Sequence, residues 1–393
     1  MSDAYIVSAV RTPVARAFKG AFRNYRPDDL LADALKAALA EVPALDPARV
    51  EDVIVGCAMP EAEQGMNVAR IGALLAGLPD NVPGVTVNRF CSSGLQTIAM
   101  AADRIRLGEA DVMIAAGTET MTMVPMMGHK VAMNPKVFSD DNVAIAYGMG
   151  ITAEKVATKW GVSREDQDQF AYRSHQKAIA AIDGGEFTEI RPVTVTHRMP
   201  DPRSGQIREV QQVVDTDEGP RRDTNPETLA KLRTVFDAKG SVTAATSSQM
   251  SDGAGAVIMV SERVLKELTL EPLAVFRGFS VAGVPAEVMG IGPIEAIPKV
   301  LKQTGIAKDD LDWIELNEAF AAQALAVMRT VELDPDKVNP LGGAIALGHP
   351  LGATGAILAA KLIHGLQRRQ QRYGMVTMCI GTGMGAAGIF ERV

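Results

Sequence analysis

Short apolar runs alternate along this chain with longer stretches in which apolar residues recur every three or four positions. The first pattern predicts strands and the second amphipathic helices, so their alternation predicts an α/β fold. Asp52-Val-Ile-Val-Gly, Asp111-Val-Met-Ile-Ala-Ala-Gly and Tyr373-Gly-Met-Val-Thr-Met-Cys read as strands, as does the opening segment around Tyr5-Ile-Val-Ser-Ala-Val. Pro27 to Glu41 reads as a helix, with Asp28 and Asp29 in the first turn where the helix dipole favours negative charge. Thr152 to Lys159 reads as another.

The pattern repeats once. A helix from Asp28 to Ala40 leads through Asp46-Pro-Ala-Arg-Val to the strand at Asp52, and a helix from Pro293 to Gln303 leads through Gly305-Ile-Ala-Lys-Asp-Asp-Leu to Asp312-Trp-Ile-Glu-Leu. Val87-Asn88 precedes Cys91-Ser-Ser-Gly and a helix; Val338-Asn339 precedes Gly342-Gly-Ala-Ile-Ala-Leu-Gly-His and a helix. Each of those helices is followed by a Gly-ended strand, at Ala115-Ala-Gly-Thr-Glu and Met378-Cys-Ile-Gly-Thr-Gly. Echoes in the same order predict two similar α/β halves. Between them, Met121 to Lys239 is rich in charge, Met and Pro, including the strand-poor stretch His197-Arg-Met-Pro-Asp-Pro-Arg-Ser-Gly. It reads as an insertion, helical around Thr152 to Ala181. The expected organisation is an N-terminal half (1–120 with 240–270), a loop domain (121–239) and a C-terminal half (271–393).

Composition narrows the function. A chain of 393 residues that is 47% apolar has ample core for several domains. Its net charge of −7 carries no basic footprint for nucleic acid. No apolar run approaches the roughly 20 residues a membrane span needs, and the N-terminus has no basic-then-apolar leader. The three cysteines, Cys57, Cys91 and Cys379, form neither a disulfide framework nor a CxxC pair, and the five histidines lack zinc-ligand spacing. Free thiols in a reducing compartment follow, with the cytoplasm as the expected setting.

Cys91 stands where a strand ends and small residues open a helix, in Val87-Asn-Arg-Phe-Cys-Ser-Ser-Gly. A helix N-terminus favours thiolate, although a buried structural Cys fits the same pattern. Cys379 ends a strand before Gly381-Thr-Gly, a turn able to turn backbone N–H groups toward an oxyanion. No Lys-Ser or Lys-Thr follows, so a phosphate loop is excluded. His349 sits among small residues before Pro350, placed either as a base or carbonyl donor or as a cap facing solvent. Asn317, with Glu318, lies at a strand-to-helix junction, as a helix cap or as the holder of a catalytic water. His129, His175, His197 and His364 read as surface or structural, and Cys57 as core.

From end to end the chain resembles the thiolases. The resemblance rests on Ser8-Ala-Val-Arg-Thr-Pro, Asn88-Arg-Phe-Cys-Ser-Ser-Gly, Met149-Gly-Ile-Thr-Ala-Glu, Asn317-Glu-Ala-Phe, Gly348-His-Pro and Cys379-Ile-Gly-Thr-Gly-Met-Gly. It implies the thiolase fold: two βαβαβαββ-type halves in α-β-α-β-α layers, with a loop-domain insertion. It implies that Cys91 carries the acyl group, that His349 activates it, and that Asn317 holds a water at the thioester oxygen. The N–H groups of Cys91 and Gly381 would form an oxyanion hole, and Cys379 would exchange the proton on the α-carbon. Cleavage beside a ketone leaves an enolate that must be stabilised and protonated, and a thiol nucleophile conserves the thioester for transfer to coenzyme A. By the same resemblance Arg221 lies near the adenine nucleotide, Ser248 on the pantetheine arm, and Met149, Met289, Ala319 and Phe320 along the pantetheine and acyl path. Coenzyme A is then substrate, with no permanent cofactor and no metal.

Two departures tilt the reading toward a broad-range 3-ketoacyl-CoA thiolase. Gly148 occupies the position where acetoacetyl-CoA-preferring members often carry His, and the stretch from Met121 to Tyr147 is shorter than the loop of tetrameric biosynthetic members. A homodimer follows, with a tetramer as the alternative and a β-oxidation complex partner left open. An acetoacetyl-CoA thiolase working in the condensing direction is the closest rival. A non-catalytic lipid carrier has no need of a second reactive thiol, and a decarboxylating ketoacyl synthase would carry His in place of Cys379.

Overall fold

The computed structural model describes residues 3–201 and 203–393. In chain order the elements are β1 (Ala4–Arg11), β2 (Ala15–Arg16), α1 (Pro27–Ala40), β3 (Asp52–Gly56), α2 (Val68–Leu75), β4 (Gly84–Val87), α3 (Ser93–Arg106) and β5 (Val112–Thr120). The insertion follows with α4 (Met149–Trp160), α5 (Arg164–Asp183), the hairpin β6 (Val193–Pro200) and β7 (Ile207–Val214), and α6 (Pro226–Ala230). Then come β8 (Ser251–Ser261), α7 (Glu262–Glu267), β9 (Ala274–Gly283), α8 (Gly292–Thr304), β10 (Leu311–Leu316), α9 (Ala321–Val331), α10 (Ala344–Leu347), α11 (Leu351–Arg369), β11 (Tyr373–Ile380) and β12 (Met384–Arg392).

Apart from the separate β6–β7 hairpin, the strands form one hydrogen-bonded path, β10-β11-β12-β9-β1-β8-β5-β3-β4, with β2 paired to β8. Its two ends have the same construction. β3 runs parallel to β5, and β10 parallel to β11; the intervening pairs are antiparallel. The halves meet through only two residue pairs, Tyr5 with Val275 and Ile6 with Ala274, and the real joint is the core. Leu95 and Ile98 of α3 and Leu358, Leu362 and Ile363 of α11 pack into one cluster with Met113, Met259, Val376 and Met378 from both ends of the sheet path. A second cluster lies between α1, α2 and the N-terminal strands, and a third between α8, α9 and the C-terminal strands. Helices, sheet, helices, sheet, helices: these are the five layers expected.

One local expectation needs correction, and a second is met in finer detail. The stretch at His197 is a strand, because Val193 and Val195 turn inward while Thr194 and Thr196 face solvent, and β6 pairs with β7 through Pro200. Alternation outweighs the charge and proline that disguised it. The helical part of the insertion is two helices, since Gly161 takes a left-handed conformation (φ 62°) and Ser163 Oγ caps α5 by accepting from the Asp166 N–H.

The start of α3 touches the start of α11 backbone to backbone. A Cβ on Gly355 would lie 2.1 Å from the Leu95 nitrogen, and one on Gly94 would lie 2.7 Å from the Ala356 nitrogen. Only glycine permits this approach. Gly355→Ala should therefore push the two helices apart, cost about 1–3 kcal/mol of stability as overpacking does, and lower turnover as well. Thermal melting and thiolysis assays check this; a variant that melts and turns over like the parent contradicts it.

Candidate active site

Cys91 and His349 each stand two residues ahead of one of these touching helices. The backbone before Cys91 is strained: Phe90 has φ 43°, left-handed for an aromatic residue. Three contacts hold it there. The Phe90 N–H donates to Asn88 Oδ1 (2.7 Å), Ser93 Oγ donates to the Phe90 carbonyl (2.6 Å), and the Arg89 N–H donates to Ser93 Oγ (2.9 Å). The thiol is thereby turned toward its own N–H and that of Gly381, both of which favour its charged form. Burial nonetheless dominates and pushes the thiol up to about 11. The expectation of a resting thiolate is thus corrected: at this half-buried position desolvation outweighs the helix N-terminus.

The C-terminal half supplies the facing wall. Cys379 is fully buried, and burial, then the nearby Cys91, hold its thiol well above the usual range. It packs with Met289, Ala319, Phe320 and the half-buried Met149. Gly381 lies next to Phe90 and Met149. Asn317 caps no helix, because α9 begins at Ala321 behind Phe320. Its Nδ2 faces His349 Nε2 at 3.4 Å, and its Oδ1 is buried without a protein donor. His349 is neither a cap nor solvent-facing: it is 5% exposed, and burial lowers its imidazole to about 4. An amide nitrogen can only donate, so Nε2 is the accepting nitrogen, and Nδ1 carries the proton toward Thr354 Oγ1 at 2.6 Å. The imidazole is held neutral with its basic nitrogen on the Asn317 side.

Of the residues expected along a coenzyme A path, Met149, Met289, Ala319 and Phe320 gather around Cys379, whereas Ser248 and Arg221 lie outside that cluster. Ser248 donates its N–H to the Ala319 carbonyl (2.9 Å), tying the segment just before β8 to the Phe320 loop. Arg221 stands apart, its side chain 61% exposed and 3.6 Å from Asp223. Its N–H donates to His175 Nδ1 (3.1 Å), and burial lowers that imidazole to about 4, as befits a neutral acceptor in a structural role. Cys57 is buried, as expected of core. Among the described residues no cluster of three or more acidic, His or Cys side chains is arranged to hold a metal, and no helix is long and apolar enough to cross a membrane.

Some supporting residues escape a sequence reading. Thr354, which orients His349, is five positions away and marked by nothing but the helix start. Gln249 bonds the Gly219 carbonyl (3.0 Å) and the Ile345 and Ala346 carbonyls (3.1 and 3.2 Å), while its own carbonyl accepts from the His349 N–H. It links the Arg221 loop to the base. A lone amide among serines gives no signal of this.

Two thiols from different halves, a neutral imidazole and paired N–H groups define a cysteine-dependent acyltransferase. The family models for the thiolase N-terminal and C-terminal domains match residues 4–263 and 270–392. The chain belongs to the thiolase family. It is 52% identical to a 3-ketoacyl-CoA thiolase of Bacillus subtilis (strain 168), with all of both chains covered. Its structure is similar to an acetyl-CoA acetyltransferase of Bacillus anthracis (38% identity, TM-score 0.90) and to human mitochondrial 3-ketoacyl-CoA thiolase (38%, TM-score 0.89). Each comparison covers 100% of this chain and 99% of the other.

Two outcomes follow. Because His349 is neutral down to about pH 4, kcat/KM for thiolysis should hold across neutral pH and fall as pH drops toward about 4, when the base becomes protonated. A pH–rate profile limited by a group near 6.5 would contradict the burial argument. Because Cys91 is a resting thiol, iodoacetamide should alkylate it slowly at pH 7, with a rate still climbing at pH 9; a plateau below pH 8 would restore the thiolate.

Proposed function

We propose that this protein cleaves 3-ketoacyl-CoA with coenzyme A, releasing acetyl-CoA and a shortened acyl-CoA through an acyl-Cys91 intermediate. The observation that carries the reading is the facing of Cys91 and Cys379 across the two halves, beside the Cys91 and Gly381 N–H groups. Cys91 attacks the ketone carbon as His349 accepts its proton; with a thiol near 11 and an imidazole near 4, the proton leaves only as the carbon–sulfur bond forms. The Cys91 and Gly381 N–H groups hold the oxyanion. The departing enolate takes its proton from Cys379, its oxygen lying toward His349 and Asn317. The thiol of coenzyme A then takes the acyl group from Cys91.

A broad-range 3-ketoacyl-CoA thiolase is supported by the full-length likeness to the 3-ketoacyl-CoA thiolase of Bacillus subtilis and by open space at Gly148, where an added Cβ would meet no atom within 4 Å. The rival acetoacetyl-CoA thiolase is favoured by the equally good fit to the Bacillus anthracis structure. Arg221, exposed and cationic, suits a phosphate or the adenine face; Ser248 suits the pantetheine arm. We place the protein in the cytoplasm, as a homodimer serving β-oxidation with coenzyme A as substrate and no resident cofactor.

Thiolysis rates on a 3-ketoacyl-CoA series should stay within about tenfold from C4 to longer chains, a span of roughly 1.4 kcal/mol in the barrier; activity confined to C4 selects the rival. Arg221→Ala should raise the KM for coenzyme A and spare kcat, the mark of lost uniform binding. A kcat collapse at unchanged KM contradicts that role.

A further inference from the structure

The duplication places a second pair of side chains at the positions equivalent to Asn317 and Cys379. At the strand ends Gly56 pairs with Gly117, and Leu316 pairs with Thr377. One residue beyond the first strand is Cys57 in one half and Asn317 in the other; two beyond the second strand's paired residue is Glu119 in one half and Cys379 in the other. The pairs cross over. Cys379, from the C-terminal half, faces Cys91 before α3 of the N-terminal half. Glu119, from the N-terminal half, reaches the first turn of α11 behind His349.

Glu119 is fully buried near the end of a wholly buried strand, between Thr118 and Thr120. Its Oε2 accepts from the Gly352 N–H and the Ala58 N–H, both at 2.8 Å. Its Oε1 accepts from Gln64 Nε2 (2.6 Å) and the Met59 N–H (3.3 Å). Among the described residues no cation pairs with it, and its charge is close enough to Cys91 to oppose the thiolate. Gly352 is the second residue of α11, and a Cβ there would meet the Ala58 nitrogen at 2.6 Å. Leu351, beside it, packs in the same cluster as Ala58 and Cys91. The side chain that orients His349, Thr354, lies in the same first turn.

We propose that Glu119 is a positioning residue for thiolysis: one buried carboxylate clamps the first turn of α11, and with it His349, to the Ala58–Met59 loop beside Cys91. An acceptor-only group is required there, because every neighbour it meets is a donor. A glutamine would turn an NH2 group against at least one N–H and release one side of the clamp. The clamp also works at an electrostatic cost, since the same charge adds to the burial that keeps Cys91 protonated. Removing the charge should therefore make the sulfur easier to ionise and yet slow the reaction.

The proposal rests on the thiolytic reading of the site, and the test separates the two. Intact-mass analysis of the parent enzyme with acetyl-CoA comes first; failure to acetylate Cys91 sinks that reading rather than the clamp. Glu119→Gln is then compared with the parent. Its kcat for thiolysis should fall at least about tenfold while the KM for coenzyme A stays within about twofold, as expected when only transition-state geometry suffers. Its Cys91 should be alkylated by iodoacetamide at pH 8 at least about threefold faster, because more of it is thiolate. A folded variant with kcat within twofold of the parent overturns the proposal, and so does a slow variant whose alkylation rate is unchanged. If Glu119→Gln does not fold, Gln64→Met carries the test. It removes one donor from a carboxyl that burial already raises, so Glu119 binds a proton more readily and kcat should begin to fall at higher pH than in the parent, above the limb set by His349; superimposable profiles overturn the proposal.

Discussion

Everything at the site depends on two helices meeting at their N-termini in the middle of the molecule. α3 and α11 belong to different halves, and bare backbone at Gly94 and Gly355 lets them touch. Side chains as small as a methyl would separate them. The contact sets where Cys91 and His349 stand, since each precedes its helix by two residues. It also explains why the core is continuous between the halves although the strands join through only two residue pairs. Burial at this junction then sets the chemistry: it raises both thiols and lowers the imidazole, and the Cys91 and Gly381 N–H groups favour negative charge on Cys91.

A duplicated fold could have produced two sites, and produces one. Each half delivers a strand-end residue to the other half's helix. In one direction that residue is a thiol facing a thiol; in the other it is a carboxylate bonded to backbone N–H groups. The first arrangement can exchange protons with a substrate. The second is closed by its own hydrogen bonds and holds the first turn of α11 in place. Chemistry at one crossing, and a clamp at the other, is what a single deep site at the junction of two related halves needs.

Much of this was legible in the sequence. The order of apolar runs and helices betrays the duplication, and small residues around Cys91, His349 and Cys379 mark backbone that must come close to something. The halves were readable because strand and helix periods survive in short segments. What could not be read is what depends on distance in space. Burial reverses the expected ionisation of Cys91, which local sequence places in a favourable spot. Asn317 looks like a helix cap until α9 is seen to start at Ala321. Thr354, Gln249 and Glu119 act through partners five to more than two hundred positions away, and no periodicity records such a partner. The β6–β7 hairpin was hidden because charge and proline masked a short alternation.

The central claim is that the two cysteines divide the work, Cys91 carrying the acyl group and Cys379 carrying the proton. The direct measurement is deuterium uptake into the methyl group of acetyl-CoA from heavy water, followed by mass spectrometry alongside the acetylation state of Cys91. The account predicts uptake by the parent enzyme, and in Cys379→Ala an acetylated Cys91 with uptake lost. Uptake at the parental rate in Cys379→Ala, or an acetyl group found on Cys379, would contradict it.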